Sequence, residues 1–524
     1  MEQELIHKKS IVDFFLKKDI LLSSDVLDFL EENDIEKIYN LINEKTKTEN
    51  FLLFNKDLNE ALKNSPRLDT NWLELDKSKA MLEKGKDNKA YPQFIKFLQT
   101  SKQVKKDEKV KIIFSYEEDS KKRDAQDFVH YFNARYKAIE KILRSRPELK
   151  NLTTINRILN KRDKESISFI GIVKDKHTTK NGNLILTLED QTGFINVLIN
   201  KTKPEIFEDA KSIVLDEVLG ILGVNSQNIV FANKVFWPDT SIKEFKKSPD
   251  EAYAIFLSDI HIGSNNFLPD AFNKFLAWIN QKVGNDTQKE IASKVQYIFI
   301  IGDLVDGCGI YPGQDKELII KDIYAQYEEC ARLLAQIPQR IPLIICPGNH
   351  DAMRIAEPQP PFYQDFAKPL YDLPNIISVS NPSLINIHSS EKFSGFDVLL
   401  YHGYSFDYYV ANVDSIRNKG GYDRADLIMK FLLKRRHLAP THTSNLYVPD
   451  ITQDPLVISR VPDFFATGHI HKSIAANYKN ITLISGSCWQ SKTEFQEKVG
   501  HNPEPGRVPI VNLKTRDIKI LKFL

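Results

Sequence analysis

The sequence has few cysteines and lacks any long apolar run. Its four cysteines, Cys308, Cys330, Cys346 and Cys488, never form a C-x-x-C pair, which excludes the usual disulfide, zinc-finger and thiol-redox patterns. No apolar stretch reaches the roughly eighteen residues of a membrane-spanning helix. The N-terminal residues also lack the basic and apolar regions of a secretory signal. We therefore expect an intracellular, cytoplasmic protein.

An excess of charge of either sign is absent as well. The chain of 524 residues carries 72 Lys and Arg against 70 Asp and Glu, a formal net charge of +2. A protein that held nucleic acid by charge alone would be more basic. Any affinity for phosphate must come from local patches, metal ions or a partner subunit. The length and the mixture of 42% hydrophobic with 27% charged residues predict a globular protein of several domains.

The N-terminal third alternates between helical and aperiodic patterns. Residues 1–44 carry apolar residues at helical spacing, which predicts a small helical domain that either packs on itself or docks a partner or nucleic acid. Residues 45–123 keep no period and predict a flexible, charged linker. Helical spacing returns over 124–160, which predicts a helical connector. Its basic flanks could touch DNA, but packing on the next domain is the simpler interpretation.

Residues 165–240 change to the two-residue period of β-strands. Five short runs are separated by turn signals such as Asn181-Gly182-Asn183, which predicts a small closed barrel. These runs resemble an OB-fold, a domain that binds single strands or docks other proteins. The predicted hairpin exposes few aromatic residues, so both roles stay open.

Residues 250–524 repeat one plan, an apolar strand followed at once by side chains that can bind metal. The five strand ends carry, in order, the motifs D-x-H, G-D-x-x-D, G-N-H-D, H-G and G-H-x-H. Ligands of open α/β sheets gather beyond the carboxyl ends of the strands, so these side chains should meet at one place. The candidate metal ligands are Asp259, His261, Asp303, Asn349, His402, His469 and His471.

The donor set predicts two divalent ions. Seven donors are too many for one catalytic ion with an open position, but they suit two ions that share a carboxylate, for which Asp303 is the natural candidate. Several imidazoles favour Mn²⁺, Fe²⁺ or Zn²⁺ over the all-oxygen environment of Mg²⁺. We expect Mn²⁺, with Fe²⁺, Zn²⁺ or Mg²⁺ as alternatives. Each motif alone is more often structural, and only their combination carries the prediction.

The five motifs together resemble those of the calcineurin-like metallophosphoesterase superfamily. The resemblance implies a multidomain α+β protein whose C-terminal α/β domain is a β-sandwich flanked by helices. It implies one ion held by Asp259, His261, Asp303 and His471. It implies a second ion held by Asp303, Asn349, His402 and His469. His350 would be the catalytic imidazole that assists the leaving oxygen, while Asp306 and Asp351 would orient ligand imidazoles.

The order of domains resembles that of one group of proteins within this superfamily. Helices, linker, barrel and phosphoesterase follow one another, and segments such as ICPGNHDAMR and LLYHGYSFD resemble the small subunits of archaeal family-D DNA polymerases. This implies a proofreading 3′→5′ exonuclease that acts on single-stranded or mismatched DNA ends. It also implies a large catalytic polymerase subunit as partner and association with the nucleoid during replication.

Two other functions remain open at this point. One is a stand-alone metallophosphoesterase, either a repair nuclease or a phosphatase, and the other is a non-catalytic scaffold subunit. The basic cluster Arg435, Arg436 and His437 is a candidate contact for DNA or the partner, although a solvated helix end would have the same pattern.

Overall fold

The computed structural model describes residues 14–15, 21–22, 53–54, 110–117, 121–161, 163–498 and 500–524. The chain divides into two compact units, Met1–Asp107 and Glu108–Leu524. In the first unit, strand β1 (Leu21–Leu22) pairs in parallel with β2 (Leu53–Phe54). These strands contradict the helix predicted at 21–22 and the linker predicted at 53–54. Phe14 and Phe15 are helical, as predicted, and the other residues of the predicted helical domain lie outside the described residues.

The second unit begins with a strand that the sequence analysis assigned to the linker. Strand β3 (Val110–Ser115) pairs antiparallel with the strand at 383–387, about 270 positions later in the chain. The linker prediction is therefore wrong for these residues. Because β3 lies at the edge of its sheet and keeps Ile112 and Ile113 exposed, it lacks the alternation by which a half-buried strand is recognised.

The predicted connector forms two helices, α1 (Ala125–Arg144) and α2 (Ile155–Leu159). The Asp124 side chain accepts hydrogen bonds from the first-turn N–H groups of α1, which satisfies donors that have no partner within the helix. The buried residues of α1 are Tyr131, Arg135, Ile139 and Leu143.

A closed barrel of five strands follows, as predicted. The strands pair in the order β4-β5-β6-β8-β7, and β7 returns to pair with β4. Inward residues alternate along each strand, which gives the barrel its own apolar core. The strands are β4 (Ser166–Thr178), β5 (Leu184–Asp190), β6 (Gly193–Ile199), β7 (Val218–Ser226) and β8 (Ile229–Phe236), with helix α3 (Pro204–Lys211) between β6 and β7.

The C-terminal region contains two six-stranded mixed sheets that pack face to face. The first sheet has the order β12-β11-β10-β9-β18-β19, and the second has the order β16-β17-β15-β14-β13-β3. A core of apolar residues from both sheets, including Phe256, Phe299 and Phe464, lies between them. The first sheet consists of β9 (Tyr253–Leu257), β10 (Val295–Ile301), β11 (Leu343–Cys346), β12 (Ile376–Ser378), β18 (Arg507–Asn512) and β19 (Ile518–Lys522). The second consists of β3, β13 (Ser383–Ile387), β14 (Phe396–Leu400), β15 (Phe464–Thr467), β16 (Ile474–Tyr478) and β17 (Ile481–Ser485).

Helices cover the outer faces of the two sheets, as the α/β prediction requires. One apolar core lies between the first sheet and its helices, and another lies between the second sheet and its helices. The helices are α4 (Pro269–Ile279), α5 (Asp286–Ser293), α6 (Ile323–Leu334), α7 (Gln364–Tyr371), α8 (Phe406–Asn412), α9 (Asp414–Arg417), α10 (Ala425–Arg435) and α11 (Glu494–Lys498). None of the described helices has both the length and the hydrophobicity to cross a bilayer.

The basic cluster at the end of α10 lies inside the protein. The Arg435 guanidinium pairs with the barrel carboxylate Glu217 at 2.7 Å, and both side chains are at most 2% exposed. The Arg436 side chain donates to the backbone carbonyls of Ile458 and Ser459 at 2.6 and 2.7 Å. The predicted contact with DNA or a partner is therefore wrong for both arginines. Their charges join α10 to the barrel and to a neighbouring loop.

His437 is also buried, in a cluster of charges around Asp454. The Asp454 carboxylate accepts hydrogen bonds from Arg135 Nε at 2.6 Å and from the Tyr131 hydroxyl at 2.7 Å, and His437 Nε2 lies 2.8 Å away. Burial opposes ionisation of Asp454, but Arg135 and His437 hold its pKa well below the usual value. The cluster fixes α1 to the C-terminal domain, and the predicted contact of His437 with DNA or a partner is wrong.

Acidification should weaken the junction around His437. Burial and the nearby Arg135 charge lower the pKa of this imidazole to about 4, although the adjacent Asp454 carboxylate acts in the opposite direction. The unfolded chain takes up a proton near pH 6.5, so stability is lost as the pH falls from about 6.5 toward 4. We expect His437→Asn to be about 1–3 kcal/mol less stable at pH 7. It should lose less stability than wild type between pH 7 and 5, as measured by thermal unfolding, and an equal loss would contradict the assignment.

Candidate metal centre

The candidate site lies where the carboxyl ends of parallel strands from both sheets meet. β9, β10 and β11 are parallel neighbours in the first sheet, and β14 and β15 are parallel neighbours in the second. The His402 ring links the two sheets, since its Nδ1 lies 2.9 Å from the carbonyl oxygen of Ile301 at the end of β10. The five motifs predicted at strand ends therefore follow strands that end at the same edge of the sandwich.

One group of donors consists of Asp259, His261 and His471. Their ligand atoms lie within 4.8 Å of one another, and all three residues are buried. The His471 Nε2 is 3.3 Å from an Asp259 oxygen and 3.2 Å from His261 Nε2. Two imidazole nitrogens and a carboxylate at these separations are suitable ligands for one divalent ion.

A second group contains Asp259, Asp303 and His402, with ligand atoms again within 4.8 Å. The His402 Nε2 lies 3.3 Å from Asp303 Oδ2 and 3.0 Å from Asn349 Oδ1. The same Asp303 oxygen lies 3.9 Å from His261 Nε2 in the first group. Asp259 belongs to both groups, and Asp303 lies between His261 and His402, where a carboxylate shared by two ions would lie.

Each of the three inward imidazoles is held through its other ring nitrogen. The Nδ1 atoms of His261, His402 and His471 contact, respectively, the Asp306 carboxylate at 3.0 Å, the Ile301 carbonyl at 2.9 Å and the Gln496 amide at 2.9 Å. The oxygen acceptors beside His261 and His402 hold a hydrogen on Nδ1 and leave Nε2 for the ion, whereas His471 Nδ1 lies beside the Gln496 amide nitrogen, which is a donor. All three Nε2 atoms face the shared space, so the residues present fit two divalent ions.

His469 is not in any of the carboxylate and imidazole groups found among the described residues. Its Nε2 lies 3.0 Å from the Asp407 carboxylate, and its backbone N–H donates to both oxygens of Asp259 at 3.1 and 3.0 Å. Its ring lies 5.3 Å from the ring of His402, measured between centroids. Ligation by His469 remains a prediction, and it would have to use Nδ1.

The two predicted orienting carboxylates do different things. Asp306 contacts an imidazole, that of His261, as the sequence analysis expected. Asp351 does not, and the expectation is wrong for it: its oxygens accept backbone N–H bonds at 2.8 to 3.3 Å. The donors are Asp303, Leu304, Val305 and Gly348. Asp351 therefore holds together the loops that carry Asp303 and Asn349.

The loops that carry the predicted ligands are bent in an uncommon way. Five of the seven predicted ligands have left-handed backbone angles, with φ between 52° and 71°: Asp259, His261, Asp303, His469 and His471. Such angles cost of order 1 kcal/mol for a residue with a side chain and persist where the surroundings impose them. Gly348 is one of these surroundings, because an added Cβ would lie 2.2 Å from Asp303 Oδ1.

The electrostatics of the site favour positive charge. Burial opposes ionisation of Asp303. The surrounding rings of His402, His350 and His261 nevertheless hold the pKa of this carboxyl well below its usual value. Burial likewise disfavours a charged His402, yet the Asp303 and Asp259 carboxylates raise the pKa of that ring to about 10. The same two carboxylates would also attract a divalent cation to this position.

Sequence reasoning missed four side chains that support the site. Gln314 and Gln490 donate to Asp306, Gln496 contacts His471, and Asp407 contacts His469. The three glutamines lie outside the five motifs, so no spacing identified them. Asp407 had a weak signal, since it ends the quoted segment LLYHGYSFD and follows His402 by five positions.

Replacing Asp303 by asparagine tests the shared carboxylate. Asp303→Asn removes the negative charge. It keeps an oxygen that can accept the hydrogen bond from the backbone N–H of His350, which is 2.8 Å long in the unmodified protein. We expect the bound Mn²⁺ to fall from two ions per chain to one or none. Affinity should drop by about 100-fold or more, because even the partners of metal ligands contribute 10- to 100-fold. Elemental analysis and calorimetric titration measure both quantities.

Asp414→Asn is a matched control for this substitution. Asp414 lies on α9, its side chain is 76% exposed, and it pairs only with Arg417 among the described residues. Its variant should bind Mn²⁺ as the unmodified chain does. Two tightly bound ions in Asp303→Asn would contradict the assignment of Asp303 to both groups.

Comparison with known proteins agrees with this geometry. The calcineurin-like phosphoesterase family matches residues 254–473. The DNA polymerase II small subunit of Methanothermobacter thermautotrophicus is 41% identical over 397 residues, which cover 76% of this chain and 79% of that protein. The small subunit of Pyrococcus abyssi is 40% identical over 76% of this chain but only 63% of its own length, so the chain spans less than two thirds of that relative. The chain therefore belongs to the family of DNA polymerase II small subunits and contains a calcineurin-like phosphoesterase domain.

Proposed function

We propose that the chain supplies metal-dependent 3′→5′ exonuclease activity, the proofreading function, to a heteromeric DNA polymerase. The observation that carries the proposal is the position of Asp303, whose Oδ2 lies 3.9 Å from His261 Nε2 and 3.3 Å from His402 Nε2, between two groups of buried donors. A protein kept only as a scaffold has no need for buried ligand sets with every imidazole oriented. Mn²⁺ is the ion that we propose, because the donors combine imidazoles with carboxylates.

The bound ions would neutralise the charge of the phosphodiester and activate water for attack. Asp259, His261, Asp303 and His471 would hold one ion, while Asp303, Asn349 and His402 would hold the other with His469. These residues come from both sheets, so the DNA end would have to reach the space between the strand ends.

His350 would assist the departure of the leaving oxygen. Its backbone N–H donates to Asp303 at 2.8 Å, and its Nδ1 lies 2.9 Å from the Asp306 carbonyl oxygen. The ring is therefore held through Nδ1, which donates to that carbonyl, and the doubly protonated ring would give its Nε2 proton to the leaving oxygen. The side chain is partly exposed, at 19%, whereas the ligand residue His402 has none of its side chain exposed. This difference fits a group that meets the substrate instead of an ion.

The partner that we propose is the large polymerase subunit. The relatives are named small subunits of DNA polymerase II, and a small subunit implies a larger companion. We assign the barrel as an OB-fold, because its five strands close in the order first, second, third, fifth, fourth. Single-stranded or mismatched 3′ ends would reach the metal centre when the polymerase stalls on them.

Degradation of end-labelled oligonucleotides tests the activity and its direction. With Mn²⁺ and a 5′-labelled single strand, we expect a ladder that shortens step by step, whereas a 3′-labelled strand should release labelled mononucleotide at once. A mismatched 3′ end should be removed faster than a paired one. Chelation by EDTA should stop both reactions, and the Asp414→Asn variant should act as the unmodified chain does.

The same assay separates the rival functions. Cleavage of internal bonds without shortening from an end would favour a repair nuclease, and hydrolysis of p-nitrophenyl phosphate alone would favour a phosphatase. A chain that binds the large subunit but degrades no DNA, alone or in the complex, would be a scaffold. Any of these results would overturn the exonuclease proposal.

His350→Gln should slow degradation while metal binding stays intact. Removal of a general acid or base costs about 10²- to 10⁴-fold in rate. We expect a kcat lower by that range and a Mn²⁺ content equal to that of the unmodified chain, measured on the same preparation. Loss of bound Mn²⁺ would instead make His350 a ligand and would contradict its proposed role.

A further inference from the structure

We propose that Asp407 is a positioning residue that fixes His469 for metal binding. The inference rests on the two-ion part of the proposed function, but it requires neither DNA nor exonuclease activity. Asp407 lies in the first turn of α8, five residues after His402. Its carboxylate lies 3.0 Å from His469 Nε2, so Nδ1 is the nitrogen of this ring that would bind the ion.

The contact determines which nitrogen of His469 carries a proton. A carboxylate can only accept, so it favours the form of the ring with hydrogen on Nε2 and a free electron pair on Nδ1. That is the form in which Nδ1 can bind a cation. His261 and its partner Asp306 show the same arrangement with the two nitrogens exchanged, since Asp306 contacts Nδ1 and leaves Nε2 to the site.

His469 is restrained at its backbone as well. Its N–H donates to both oxygens of Asp259, and its φ of 71° lies in the left-handed region. With the backbone fixed, the remaining freedom is rotation of the side chain, and the contact with Asp407 restricts it. Asp407 therefore connects α8, which follows the strand of His402, with the loop that follows β15.

The simpler interpretation is a surface ion pair without a role at the site. Asp407 has 52% of its side chain exposed, and attraction between exposed charges contributes little to stability. His469, however, is only 12% exposed, and its ring packs edge-on against Tyr404 and His402. A weak stabilising effect combined with a strong effect on metal affinity would distinguish a positioning role from an ion pair.

Mn²⁺ titration of full-length variants tests the inference. In Asp407→Ala, we expect affinity for one of the two ions to fall by about 10- to 100-fold, the range for partners of ligand imidazoles. Asp407→Asn keeps an oxygen that can accept from Nε2 and should recover most of that affinity. Asp414→Ala, an exposed aspartate on the next helix, should bind both ions as the unmodified chain does. The melting temperature without metal should be the same in all four proteins.

Two outcomes would overturn the inference. One is an unchanged Mn²⁺ affinity in Asp407→Ala. The other is a marked fall in the melting temperature of metal-free Asp407→Ala, because the lower affinity would then result from lower stability. The result is independent of the exonuclease proposal: a chain that binds two Mn²⁺ ions and degrades no DNA would remove that proposal, while the comparison of Asp407→Ala with Asp407→Asn would still be decisive.

Discussion

The structure depends on keeping a charged carboxylate, Asp303, almost completely away from water. A buried charge without compensation is very costly, so the surroundings must supply positive charge or hydrogen-bond donors. Here they supply three imidazoles and the backbone N–H of His350. The close approach of Gly348 and the four N–H bonds to Asp351 hold the two loops at the separation that this compensation needs. The position of nearly every other group in the centre follows from that requirement.

Charge is used in a second way at the boundaries between domains. The ion pair of Arg435 with Glu217 joins α10 to the barrel. The Asp454 cluster joins α1 to the C-terminal domain. Pairs as deeply buried as these contribute little net stability, but removing one partner is expensive. They therefore specify how the parts fit together more than they strengthen the whole. They hold the barrel, α1 and the C-terminal domain in one arrangement.

The sequence predicted the parts of the molecule whose residues interact with near neighbours or repeat a pattern. The barrel was visible through its alternation, and the candidate ligands could be named because each follows an apolar strand that ends at the same edge, while their binding of metal remains a prediction. The prediction from the sequence failed for β3, because the strand with which β3 pairs lies far along the chain. It also failed for Arg435, Arg436 and His437, because a basic pattern is the same on a surface and in a buried ion pair. The predicted contact of Asp351 with an imidazole was wrong, because a position next to His350 in the sequence does not determine which groups the carboxylate contacts.

The pairing of β3 with β13 has a practical meaning for dissecting the chain. A fragment cut at the apparent start of the phosphoesterase domain, near residue 250, would lack the outermost strand of one sheet. It would bare the hydrogen-bonding edge of β13, and unprotected edges invite pairing with other chains. The two-sheet sandwich is thus assembled from two separated stretches of sequence, and the barrel lies between them in the chain. Recombinant pieces intended for crystallisation or assay should start before Val110.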